Sequence, residues 1–105
     1  MDKLIFISQR VDVHSDYNER RDALDRKWID FLCQAGYLGL PIANHPKTIM
    51  QILQLFQPIG ILLSGGNSPF EYGGNAPERD EADRLLISYA IQKKIPLLGV
   101  CRGMQ

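Results

Sequence analysis

At 105 residues the chain is long enough for one hydrophobic core, too short for two domains of ordinary size, and below the size usual for a complete α/β hydrolase-like enzyme. Its 12 basic and 12 acidic residues balance, which excludes the electrostatic footprint of a nucleic-acid or anionic-membrane binder. The two cysteines suggest no disulfide framework, Leu4 to Ile7 is too short for a secretory apolar region, and no stretch approaches a membrane span; the expected location is the reducing cytoplasm.

Lys3 to Ser8, K-L-I-F-I-S, is a continuous apolar run of strand length and reads as the first strand of a parallel sheet, buried on both faces. Gln9 to Asn18 is polar and reads as a loop leaving that strand's C-terminal end, the edge where open α/β sheets bind ligands. From Glu19 to Ala35 the apolar residues Leu24, Trp28, Phe31, Leu32 and Ala35 form a helical stripe, stopped by Gly36. Cys33 lies off its centre and reads as structural. Tyr37 to Ala43 is a second strand, placed at an edge by Pro41. Pro46 starts a helix through Phe56, with Ile49, Ile52, Leu53 and Phe56 on one face.

Ile59 to Leu63 is a third buried strand, ending in Ser64-Gly65-Gly66-Asn67, and Ser68 to Pro77 reads as an irregular loop. A helix from about Glu78 to Lys94 carries Ala82, Leu85, Leu86, Tyr89 and Ala90 on one face, with Arg79 and Asp80 read as capping it. Ile95 to Val100 is the fourth strand. The alternation β-α-β-α-β-α-β predicts a flavodoxin-like α/β fold, a doubly wound parallel sheet with right-handed crossovers.

The fourth strand stops at Cys101, which Gly99 and Gly103 flank at i−2 and i+2. Such glycines relieve the crowding around a strand-turn-helix elbow. They would leave a thiol at a helix N-terminus, where unpaired N–H groups and the dipole favour the thiolate. The alternative is a buried cysteine ending an ordinary strand. Amide cleavage by a thiolate passes through an oxyanion that needs at least two preorganised donors. One expected donor is the N–H of Arg102, after the nucleophile; the other comes from the Ser64-Gly65-Gly66 turn, unless that turn is plain punctuation or a phosphate cradle.

G-V-C-R-G-M-Q resembles the nucleophile elbow of the class I glutamine amidotransferase superfamily, and L-L-S-G-G resembles its oxyanion strand. The resemblance covers nearly the whole chain, from the opening I-S-Q-R onward. It implies Cys101 as nucleophile and Gly66 as the second oxyanion donor. The glycine pair, the following R-D and C-R-G resemble the gamma-glutamyl hydrolase branch, and Asn67 stands where many glutaminase domains carry proline. The opening and spacing are similar to the hydrolases of gamma-glutamyl-CDP-amidate and of gamma-glutamyl-gamma-aminobutyrate.

The resemblance implies a His-x-Glu pair after the region shown, so neither His14 nor His45 is assigned a catalytic role. The chain is then expected to be the N-terminal part, residues 1–105, of a single glutamine amidotransferase-like domain, lacking about as many residues again. The implied activity is hydrolysis of a gamma-glutamyl amide through a thioester, with a small-molecule gamma-glutamyl substrate and no metal or organic cofactor; a homodimer is admitted. Arg10, Tyr17, Arg20 and Arg21 could meet an anionic leaving group, or simply form a solvated face. The Arg102 side chain could anchor a carboxylate or face solvent. The alternatives are a glutaminase subunit delivering ammonia to a partner synthase and a non-catalytic flavodoxin-like binding module.

Overall fold

The computed structural model describes residues 2–14, 16, 19–65 and 76–99. Its first strand, β1 (Leu4–Ile7), is the middle of the main sheet. Beside it on one side runs β4 (Leu38–Pro41), and on the other β5 (Gly60–Leu63) followed by β6 (Leu97–Gly99). All three pairings are parallel, with Leu4 opposite Leu38, Ile7 opposite Leu62 and Leu63 opposite Gly99. The order β4-β1-β5-β6 is the flavodoxin-like arrangement. Pro41 ends an edge strand, as its missing N–H predicts.

Three helices make the crossovers: α1 (Arg26–Gln34), α2 (Pro46–Leu55) and α3 (Pro77–Lys93). The chain steps from β1 outward to β4, then back across β1 to β5 and on to β6. If every crossover has the same hand, that reversal must put α1 on one face and α2 and α3 on the other. The packing follows. Ile7 and Leu62 are buried with Leu32 of α1, flanked by Ile5, Trp28 and Ile29. Leu4, Phe6, Ile61 and Leu63 meet Ile49 of α2 and Ala82, Leu86 and Ala90 of α3. Alternation along β1 divides its side chains between the two layers.

The helix ends have local causes. Asp25 caps α1 by accepting from the Lys27 N–H at 2.9 Å, and Gly36 takes φ 89° just beyond its end. His45 caps α2, and Pro46 sits in its first turn. Lys94 closes α3 in the left-handed region at φ 58°, an uncommon place for a residue with a Cβ. Gly39 lets α1 approach the sheet: a Cβ there would lie 2.9 Å from Ile7 Cδ1 and 3.0 Å from Leu32 Cδ1.

Two expectations are corrected together. The predicted loop at Gln9–Asn18 contains a strand, β2 (Arg10–His14), and the predicted helix from Glu19 begins instead at Arg26. Between them β3 (Glu19–Ala23) pairs antiparallel with β2 to form a hairpin outside the main sheet. Val11 and Val13 alternate with Arg10, Asp12 and His14, the period of a strand, and Val11 is buried to 2% exposure. Across the ladder Asp12 stands against the opposite charge of Arg21, and His14 stands against Glu19. The helical stripe that includes Trp28 and Leu32 is real, but it does not reach back to Glu19.

Candidate active site

A crevice opens in such a sheet where successive crossovers leave in opposite directions, outside the C-terminal ends of the strands. Here that point lies between β1 and β5. The residues immediately beyond those strands are Ser8 and Ser64-Gly65. Backbone pairing between the strands continues through the Ser8 N–H, which donates to the Leu62 carbonyl at 2.9 Å. Then the side chains take over. The Ser64 N–H donates to Ser8 Oγ at 3.0 Å, and Ser64 Oγ donates to the Ser8 carbonyl at 2.7 Å. The two buried serines thus clasp the strand ends reciprocally.

A third group closes the clasp from α3. Arg79, read from the sequence as a helix cap, is instead a fully buried side chain at 0% exposure; the N-cap is Ala76. Its Nη2 donates to Ser8 Oγ at 3.2 Å and to the Ser64 carbonyl. Its Nε donates to Asp83 Oδ2 one turn along the helix, at 3.4 Å. Nη1 is buried and has no hydrogen-bond partner among the described residues. Burial pulls the guanidinium below its ordinary value and pushes the Asp83 carboxyl up, while the attraction between them opposes both shifts without overcoming them. One sequence signal pointed to this: Arg79 precedes Ala82, Asp83, Leu86 and Ala90 on the buried side of α3.

The hairpin borders the same edge. Arg20 forms a bidentate ion pair with Glu78 in the first turn of α3, at 2.5 and 2.7 Å, and holds the Glu78 carboxyl below the usual carboxylate range. Asp22 accepts from the Asn44 N–H at 2.9 Å and from Asn44 Nδ2 at 3.0 Å, while Nδ2 also donates to the Gln9 carbonyl. Arg10 pairs with Asp12 at 3.0 Å and Arg21 with Glu19 at 2.7 Å. Each of the three arginines considered for an anionic leaving group therefore already faces a carboxylate, and Tyr17 lies outside the described residues. A ligand anion would have to compete with those partners.

Gly66, Cys101 and Arg102, the expected oxyanion donors and nucleophile, lie outside the described residues, as does the predicted loop between Ser68 and Asn75. Leu63 and Gly99 are partners across β5 and β6, so the C-terminal ends of these two strands lie side by side. His45 Nδ1 accepts from the Thr48 N–H at 3.3 Å and is occupied as a cap, while His14 sits in the hairpin opposite Glu19. Cys33 is exposed on α1.

The sequence pattern of the family described as Peptidase C26 matches residues 4–105. The chain belongs to the peptidase C26 family. This is a class I glutamine amidotransferase-like domain, and the four-stranded parallel sheet between helices agrees with it. Among curated relatives, the chain is 30% identical over 106 residues to a gamma-glutamyl-CDP-amidate hydrolase of Campylobacter jejuni, covering 96% of this chain and 52% of that protein. It is 35% identical over 96 residues to a gamma-glutamyl-gamma-aminobutyrate hydrolase of Escherichia coli O157:H7, covering 78% and 36%. A CTP synthase of Methanosarcina mazei is 27% identical over 103 residues, covering 98% and 18%. The chain spans about half the length, or less, of these relatives.

Among the described residues of this C26 chain, no helix is long and apolar enough to cross a membrane. None of their His, Cys, Asp and Glu side chains gather in threes where they could hold a metal ion.

Proposed function

We propose that the full-length protein hydrolyses a gamma-glutamyl amide by covalent catalysis from Cys101. The Cys101 thiolate attacks the side-chain carbonyl carbon, and the N–H groups of Gly66 and Arg102 hold the resulting oxyanion. A histidine supplied by sequence beyond Gln105 protonates the departing nitrogen, leaving a glutamyl thioester. Water then attacks the thioester, and glutamate leaves as the thiolate is restored. The substrate is a small molecule met in the cytoplasm, with gamma-glutamyl-CDP-amidate the first to test.

The observation that carries this reading is the register of Leu63 with Gly99. It supports a common edge for the S-G-G turn and the G-V-C-R-G elbow, which are 35 residues apart in the sequence. Membership of peptidase C26 and the hydrolase names of two relatives support it independently.

The test is intact mass of the full-length protein after brief exposure to diazo-oxo-norleucine, a glutamine-like electrophile. One adduct in the wild type and none in Cys101→Ala is expected, followed by turnover in a panel of gamma-glutamyl amides. A folded protein with reduced Cys101 and no adduct would overturn direct hydrolysis. A second reading, a glutaminase that serves a synthase, is favoured by the match to a CTP synthase. Its mark would be glutamine hydrolysis that rises on adding the partner.

A further inference from the structure

We infer that Arg79 is a positioning residue that fixes the orientation of the Ser64–Gly65 peptide plane. A peptide unit is planar and trans, so its carbonyl and the following N–H point in opposite directions. Arg79 holds the Ser64 carbonyl from the α3 side. The Gly65 N–H, at the other end of that plane, must therefore face away from Arg79. Glycine lacks the Cβ that would otherwise bias the plane, so a peptide entering a glycine pair flips easily unless something holds it.

Every polar group of Ser64 is engaged in this way. Its N–H donates to Ser8 Oγ, its hydroxyl to the Ser8 carbonyl, and its carbonyl accepts from the guanidinium. Arg79 is the only one of these partners that also reaches Ser8 Oγ from a helix, at 3.2 Å, so it ties α3 to both strand ends at once. A lysine carries one ammonium where the guanidinium offers a rigid fork of donors. An apolar side chain of similar size would fill the space without burying a charge. The chemistry that only arginine supplies here is the orientation of that peptide. Resting on the hydrolase reading, the same plane sets the start of the turn whose next N–H, that of Gly66, is the proposed oxyanion donor.

The full-length protein is compared with Arg79→Lys and Arg79→Gln, the first keeping the charge and the second only a donor. Two readouts are taken: amide hydrogen exchange resolved at Ser64 and Gly65, and kcat and KM on the best gamma-glutamyl amide. In Arg79→Gln, exchange at these two amides is expected to rise at least about tenfold while that of Phe6 and Leu62 is held. In the same variant kcat falls about a hundredfold with KM little changed, because a misplaced donor costs turnover rather than binding. Arg79→Lys recovers part of both.

Unchanged exchange at Ser64 and Gly65 in either folded variant would overturn the inference, whatever the activity. So would a uniform rise across the sheet, which marks general destabilisation, or a loosened turn with undiminished kcat. A wild type that turns over no gamma-glutamyl amide, together with selective loosening of the turn in the variants, would sink the hydrolase reading and uphold the positioning role.

Discussion

A guanidinium at zero exposure is a costly choice for the start of a helix. Removing Arg79 alone takes the guanidinium from the buried Asp83 and the donor from the Ser64 carbonyl, so Arg79→Met is expected to cost about 3–5 kcal/mol of stability. Replacing both members of the pair, Arg79→Met with Asp83→Leu, removes the buried carboxyl but still leaves the Ser64 carbonyl without its donor, for a loss of about 1–3 kcal/mol. Urea unfolding of the three proteins measures the difference; a double variant as unstable as the single would place the cost elsewhere. The sequence made Arg79 look like a cap because a charged residue soon after a loop usually is one. Its place on the apolar side of α3 was readable, but the acceptor it serves belongs to a strand 15 residues earlier and only folding brings it there.

At the scale of elements, the hairpin of β2 and β3 was the part the sequence hid. E-R-R-D-A has only Ala23 to offer as an apolar residue and so no period to reveal, and its strand is held by the ladder to β2 and by anchors far along the chain, Arg20 to Glu78 and Asp22 to Asn44. The helices and the two inner strands were legible because each buries an apolar set. One anchor of the hairpin titrates. The Glu78 carboxyl is lowered by its hydrogen bonds from Arg20. Since the folded value lies below the unfolded one, the tether's contribution is present above the unfolded value and is lost as pH falls through the folded one. Measured against the intrinsic rates, which themselves slow on acidification, protection of the β3 amides should fall ahead of that in β1 as the pH drops, and Glu78→Gln should reduce that difference. A β3 that exchanges at the same rate in the variant and wild type at neutral and acid pH would show that the ion pair holds nothing. The partly exposed geometry keeps its contribution small.

The whole molecule is governed by its middle strand. Phe6 is fully buried between β1's neighbours and the α2 and α3 layer. Phe6→Ala should therefore cost about 3–5 kcal/mol. Val13→Ala in the hairpin, at an exposed position, should change stability by less than about 1 kcal/mol. Thermal unfolding of the two compares them directly, and equal losses would mean that the hairpin belongs to the cooperative core. The fold class was readable from alternating elements and an edge proline. The candidate edge was half readable: its S-G-G and G-V-C-R-G motifs are written in the sequence, whereas the clasp of Ser8, Ser64 and Arg79 depends on strand order.

That strand order has a consequence for biosynthesis. Along this chain the central strand comes before both of its partners, which begin 34 and 56 residues later, at Leu38 and Gly60. At ~5–20 residues per second, a ribosome needs about 3–11 s to add the second partner. Until Gly60 is added, L-I-F-I is an apolar segment with at least one open hydrogen-bonding edge, the feature that recruits chaperones and seeds aggregation. The hairpin that follows it pairs residues 10–14 with 19–23, so it can close before either sheet partner is made.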